Sequence, residues 1–240
     1  MTNPTAAMLV IGDEILSGRT HDTNTHFLAG ALTGRGINLR EVRVVADDQD
    51  AIVAAVNALR AAHTHVFTSG GIGPTHDDIT ADAIAAAFGI GISHRADAMA
   101  RLTAHYQKVG HEFNASRQRM ARIPDGAVLI DNPVSTAPGF SMENVHVMAG
   151  VPAIFQAMVA SVLPTLTGGA PLLSDSLRVM TGEGDIAARF GDIAARYLDL
   201  SMGSYPFVRD GAQGTNLVVR GTDAGQIAAA MEELTAAFAK

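Results

Sequence analysis

Residues 5–11 (Thr-Ala-Ala-Met-Leu-Val-Ile) form an unbroken apolar run, the pattern of a strand covered on both faces. The run stops at Gly12, and Asp13 and Glu14 then open a loop that reaches Asp22. Apolar spacing turns helical over 24–32, strand-like over 37–45 and helical again over 50–60, with Asp48 placed to cap that helix. A strand over 65–68 runs into the glycine-rich segment 69–74, and an alanine-rich helix is predicted from Thr75 to about Phe88. Strand and helix thus alternate three times, which predicts a mostly parallel sheet with helices on both faces. Beyond it, 95–121 reads as helices interrupted near Gly110, 124–140 as a turn-rich segment and 145–148 as a short strand. A helix with proline in its first turn follows from Gly150-Val-Pro152 to about Val162.

The pattern changes after the proline- and glycine-bearing stretch 164–174. Strand 177–181, helix 185–198, strands 202–208 and 215–220 and helix 223–238 give a β-α-β-β-α order, a small α+β domain with two helices on one face of its sheet. The expectation is a three-layer α/β/α domain over 1–168 and a small α+β domain over 174–240.

Composition narrows the chemistry. The 240 residues are 48% hydrophobic and 17% charged, enough to bury a core. The longest apolar stretch, 51–62, is broken by Asn57 and Arg60 well short of the roughly 20 residues that span a bilayer. No basic-then-apolar leader opens the sequence, so the expectation is a cytoplasmic protein without a membrane partner. With no cysteine, thiolate metal sites and disulfides are excluded, leaving Asp, Glu and His as metal ligands. A net charge of −7 argues against nucleic acid as a partner. The two lysines, Lys108 and Lys240, follow no glycine-rich turn, which excludes a P-loop. An anionic ligand would therefore rest on backbone N–H groups, scattered arginines or a bridging metal.

In such sheets ligands sit at the carboxyl ends of the strands. Three loops leave those ends here, and all carry acids: Asp13-Glu14, Asp47-Asp48 and Asp77-Asp78. The glycines at 70, 71 and 73 exceed what turning the chain requires and let backbone approach a ligand. The same segment also reads as an ordinary strand-to-helix turn with Thr75 and Asp78 as a capping box, and first-turn acids are commonly structural. Three acidic loops at one sheet edge nevertheless suit a divalent cation held against a phosphate. The histidines show no ligand spacing, and the methionines are scattered as core filler. Asn132-Pro-Val-Ser-Thr-Ala-Pro-Gly-Phe140 is expected to shape a pocket rim.

Taken in order, Gly12-Asp-Glu-Ile-Leu-Ser-Gly18, Asp22-Thr-Asn24, Gly70-Gly-Ile-Gly-Pro-Thr75 with Asp77-Asp-Ile-Thr80, Asn132-Pro-Val, Thr136-Ala-Pro-Gly-Phe140 and Gly150-Val-Pro152 resemble the signatures of the molybdopterin-binding domain family. The likeness is greatest to the amino-terminal part of the competence/damage-inducible protein A group, and Gly203-Ser-Tyr-Pro206 resembles a segment of that group's second domain. Ser135 stands where the family usually has glycine, and Ala149 where it usually has proline. The nicotinamide-nucleotide amidase domain of long members is absent from the 240 residues, so no deamidase activity is expected.

The resemblance implies a phosphorylated pterin, molybdopterin included, or a nucleotide bound by Gly12, Ser17, Ser69, Gly70, Gly71, Gly73, Pro74, Thr75, Asn132, Gly139, Gly150 and Pro152. It implies catalytic roles for Asp47 and Asp78, and Mg²⁺ or another divalent cation, with K⁺ as a possible companion, on Asp13, Glu14, Asp47 and Asp78. Two chemistries are open to such a pocket: hydrolysis of the diphosphate of ADP-ribose or FAD, and adenylyl transfer to molybdopterin. A non-catalytic binding module is the third reading. Homo-oligomers are common in the family and are expected here.

Overall fold

The computed structural model describes residues 3–209 and 211–239 and divides into two compact units between Gly169 and Ala170. In chain order the first unit contains β1 (Thr5–Ile11), α1 (Asp13–Leu16), α2 (Asn24–Gly34), β2 (Asn38–Val45), α3 (Gln49–Ala62), β3 (His65–Ser69) and α4 (Thr80–Phe88). It continues with β4 (Ile92–His94), α5 (Ala96–Val109), α6 (Ala115–Gln118), β5 (Arg122–Pro124), β6 (Val128–Ile130), β7 (Gly139–Met142), β8 (Val145–Met148) and α7 (Pro152–Val162). Six strands form one sheet in the order β2-β1-β3-β8-β7-β6. Its β2-β1-β3-β8 portion is parallel, while β7 and β6 extend it antiparallel.

The apolar run of β1 has its cause in the two cores it separates. Ala7, Leu9 and Ile11 pack with Ile52, Val56 and Leu59 of α3, Ile84 of α4 and Leu102 of α5. Ala6, Met8 and Val10 face the opposite core, built from Leu28 and Leu32 of α2 and Phe155, Met158 and Val159 of α7. A strand covered on both faces has no polar side to show, so continuous rather than alternating hydrophobicity is what its burial requires.

Three local readings change. The segment after β1 is not all loop, because Asp13–Leu16 closes one helical turn, with Leu16 and Ser17 N–H bonding back to Gly12 and Asp13 carbonyls. The alanine-rich helix begins at Thr80 rather than Thr75. Thr75 N–H and Oγ1 both donate to Asp78 Oδ2, so the anticipated Thr75–Asp78 hydrogen bonding exists, but as a free-standing turn ahead of the helix. Within the turn-rich stretch, Val128–Ile130 and Gly139–Met142 pair as strands, and Ile92–His94 pairs with Arg122–Pro124 in a separate ribbon. Strands of three or four residues are too short to display a period.

The second unit holds β9 (Leu173–Val179), α8 (Glu183–Ala194), β10 (Ser201–Arg209), β11 (Ala212–Gly221) and α9 (Ala224–Phe238). Its antiparallel sheet has the order β10-β11-β9. Ile186 and Phe190 of α8 share one core with Ile227 and Leu234 of α9 over Leu217 and Val219 of β11, the anticipated two-helix layer. Among the described residues, no helix is long and apolar enough to cross a membrane.

Candidate functional site

The first unit reverses its strand order beside β1: β2 is laid down on one side and β3 on the other. A crevice opens at such a point, beyond the carboxyl ends of the strands. It is a cleft of about 540 Å³ bordered by Ile11 after β1, Asp47 after β2, Gly70 to Pro74 after β3 and Ala149 to Pro152 after β8.

The glycine loop is shaped by contacts that forbid a side chain. Gly70 has φ +110°, and a Cβ there would lie 2.2 Å from the Ile11 carbonyl oxygen. Gly71 has φ +67°, and its Cβ would meet Thr80 Oγ1 at 2.1 Å. Both conformations lie where L side chains are strained. Thr80 then stitches the loop to α4, donating N–H to Gly71 O at 2.9 Å and Oγ1 to Gly70 O at 3.0 Å. Gly70 N–H is itself committed to Met148 O. Among the described residues, the N–H groups of Gly71, Ile72 and Gly73 donate to no protein acceptor. Three successive free donors on a glycine turn form a concavity suited to an anion.

Asn24 ties the walls together. Its Nδ2 donates to Ser69 Oγ and to Gly150 O, each at 2.8 Å, while its backbone N–H is held by Asp22 Oδ1. The side chain is 4% exposed, so these bonds are shielded from water. Asn132, 3% exposed, does the same for the rim: Oδ1 accepts from Val134 and Ser135 N–H, and Nδ2 donates to Ser135 Oγ and Ala137 O.

Glu14, Asp47, Asp77 and Asp78 line the cleft, and among the described residues no lysine or arginine does. Asp13 N–H donates to Asp47 Oδ2 at 2.9 Å, which leaves Oδ1 for other partners. Burial raises the Asp47 carboxyl above the usual aspartate range, and the charges of Asp13, Glu14 and Asp77 push the same way against that hydrogen bond. Asp78 likewise commits Oδ2 to Thr75. Two acids thus offer one free oxygen each from opposite loops.

Of the residues expected to act, Glu14, Asp47, Gly70, Gly71, Gly73, Pro74, Asp78, Asn132, Gly150 and Pro152 border the cleft. Gly12, Asp13, Ser17, Ser69, Thr75 and Gly139 do not. Gly12 N–H closes onto Val45 O, Asp13 contributes its backbone, and Ser17 caps the single turn of α1. Ser69 is buried against Asn24, Thr75 is spent on Asp78, and Gly139 permits β7 to lie against Val147 O. Ser135 and Ala149, the two departures from the family pattern, both line the cleft. Asp77, named in the sequence only as part of an acidic loop and given no role of its own, lines the cleft, as do Thr20 and the apolar wall of Ile11, Met120, Ile154 and Met158, which carried no sequence signal. Asn24 carried a signal, the Asp22-Thr-Asn24 motif, without an assigned role.

Among the described residues, no three Asp, Glu or His side chains converge as a ready-made metal cage. A small hard cation does not need one, since Mg²⁺ is typically held by one or two carboxylates plus the phosphates of its ligand. The free oxygens of Asp47 and Asp78, in a cleft with an excess of negative charge, fit that mode of binding.

Comparison with known proteins identifies this arrangement. A family profile described as a probable molybdopterin binding domain matches residues 7–168, and one described as the FAD synthase middle domain matches residues 171–240. The chain belongs to the molybdopterin-binding domain family. Within that family it is CinA-like. A CinA-like protein of Citrifermentans bemidjiense is 38% identical over 167 residues, 68% of this chain, and the match spans 40% of that relative's length. Protein TK1472 of Thermococcus kodakarensis is 36% identical over 195 residues, 76% of this chain and 78% of that one. The crystal structure of the protein CinA with unknown function from Thermoplasma acidophilum superposes with a TM-score of 0.63 at 34% identity, over 69% of this chain and 99% of that chain.

Proposed function

We propose that the cleft of the first unit binds a phosphorylated nucleotide or pterin and hydrolyses the diphosphate of a dinucleotide of the ADP-ribose or FAD type, with a divalent cation. The observation that carries this reading is the pairing of three free N–H donors at Gly71–Gly73 with acids and no basic side chain across the cleft. An anionic ligand facing those acids needs a bridging cation, and a diphosphate is a ligand that brings enough charge to hold one. The match of 171–240 to a domain of FAD synthase supports a nucleotide-related ligand.

A divalent ion bound there would neutralise charge building on the phosphate oxygens. The chain's own part is to fix the phosphate on Gly71–Gly73, to lay a planar ring against Ile11, Ile154 and Met158, and to accept a proton. Water attacks one phosphorus, the bridging P–O bond breaks, and two phosphomonoesters leave. Asp47, raised by its surroundings, takes the proton of the attacking water. With the free oxygen of Asp47 used for that proton, Asp78 would hold the cation by its own free oxygen.

The test is release of AMP from ADP-ribose and FAD with Mg²⁺, Mn²⁺ or Co²⁺, with and without K⁺. Asp78→Asn is expected to lower turnover by about 10²-fold or more, the scale of losing one preorganised electrostatic partner. Turnover unchanged in that variant would overturn the role of Asp78. Absence of turnover with any cation would move the assignment to adenylyl transfer, which the molybdopterin-binding profile favours and which titration with molybdopterin would then address.

A further inference from the structure

Behind the turn that carries Asp78 lies a second depression of about 490 Å³, and it shares Pro74 with the cleft. Its charge is opposite. Arg117, Arg119 and His76 line it together with Asn114 and Ser116, and among the described residues no carboxylate does. Both arginines are half-buried, and among the described residues neither has a carboxylate within ion-pairing distance.

Each guanidinium is nevertheless held in place. Arg119 Nε donates to Thr75 O at 3.1 Å and its Nη2 to Asp78 O at 3.2 Å. Arg117 Nη1 donates to Glu112 O, and its guanidinium carbon lies 4.8 Å from the centre of the Tyr106 ring. These bonds use one side of each group and, among the described residues, leave Nη1 of Arg119 and Nε and Nη2 of Arg117 without an acceptor. Restraining an arginine against carbonyls and a ring before a ligand arrives removes much of the entropy cost of clamping an anion.

We infer that this depression is a phosphate subsite, in which Arg117 and Arg119 grip a phosphate dianion through charge-assisted hydrogen bonds. The chemistry is shared by two sources: the second phosphate of the ligand in the cleft, and a separate phosphomonoester. Only the first source rests on the reading of the cleft given above.

The experiment follows the arginine Nε–H resonances of the full chain by proton–nitrogen correlation spectroscopy. Inorganic phosphate is titrated in the presence of a chelator at fixed ionic strength. Saturable shifts of Arg117 and Arg119 are expected, and Arg117→Gln should weaken phosphate roughly tenfold, about what one charge-assisted hydrogen bond contributes. Arg117→Lys should recover part of that loss, and the unchanged amide spectrum of the remaining chain reports that both variants fold.

A second titration uses ADP-ribose with Mg²⁺. Arginine shifts in both titrations assign the subsite to the cleft ligand; shifts with inorganic phosphate alone assign it to a separate phosphomonoester. The inference is overturned if neither probe moves the arginine signals, or if Arg117→Gln binds phosphate as the wild type does. Loss of the hydrolytic reading leaves the phosphate titration standing, and a silent phosphate titration leaves AMP release standing, so the two failures are distinguishable.

Discussion

Asp47 and Asp78 reach the cleft from different strands, yet each is half-satisfied in the same way, one oxygen bonded and one free. Such a carboxylate is held still without being neutralised, which suits it to a cation or to a proton in transit. For Asp47 that readiness has a cost. Its folded-state pKa is raised by burial first, so its ionised form is less favourable in the folded protein than in the unfolded chain, and protonation relieves that as pH falls. Asp47→Asn is therefore expected to raise the thermal midpoint of the metal-free protein while abolishing turnover, because an amide oxygen still accepts from Asp13 N–H. Calorimetry at pH 7 and the AMP assay check the two halves; a lower midpoint would mean that the carboxylate is structural.

At the scale of elements, neighbouring acids have separate duties. Asp48 caps α3, accepting from Ala51 N–H at 2.9 Å, and does not line the cleft. Asp48→Ala should lower unfolding free energy by about 1 kcal/mol, the usual value of a cap, in urea titration, with kcat unchanged. A drop in kcat comparable to that of the Asp47 variant would show that the loop acts as one piece.

This cap was legible in the sequence because capping is local, and so were the principal strands and helices of the parallel region, where long apolar periods leave little choice. The glycine loop and its acids were legible too, in position if not in detail. What could not be read was set by non-local contacts. The late start of α4 at Thr80 follows from Thr80 bonding back to Gly70 and Gly71, and the bonding of Asn24 to Ser69 and Gly150 joins residues 45 and 126 positions apart. The commitment of Gly70 N–H to Met148 likewise depends on strand order, which periodicity does not encode.

For the first unit as a whole, acid is the expected weakness. His146 is 4% exposed beside His65 and Phe67, with Ser141 Oγ 2.9 Å from Nδ1. Burial first, then the charge of His65, brings its pKa from 6.5 down to about 4, and burial lowers His65 as well. A histidine buried neutral leaves stability flat above pH 6.5 and withdraws it between 6.5 and about 4, as the unfolded chain takes up a proton that the folded one refuses. The loss from His146 alone is about 3 kcal/mol at 1.4 kcal/mol per pKa unit. Urea midpoints measured from pH 7.5 to 4.5 should fall along that slope, and His146→Leu should flatten it; an equal slope in both proteins would place the acid sensitivity elsewhere.

The turn bearing Asp78 precedes α4 rather than belonging to it, and the guanidinium of Arg119 grips that turn by two carbonyls from a residue 41 positions further along the chain. That side chain is a strut between two compartments of opposite charge. A displacement of Arg119 would pull on the backbone of Thr75 and Asp78 through those two bonds, so an anion bound on the basic side would be expected to alter the geometry of the acidic one.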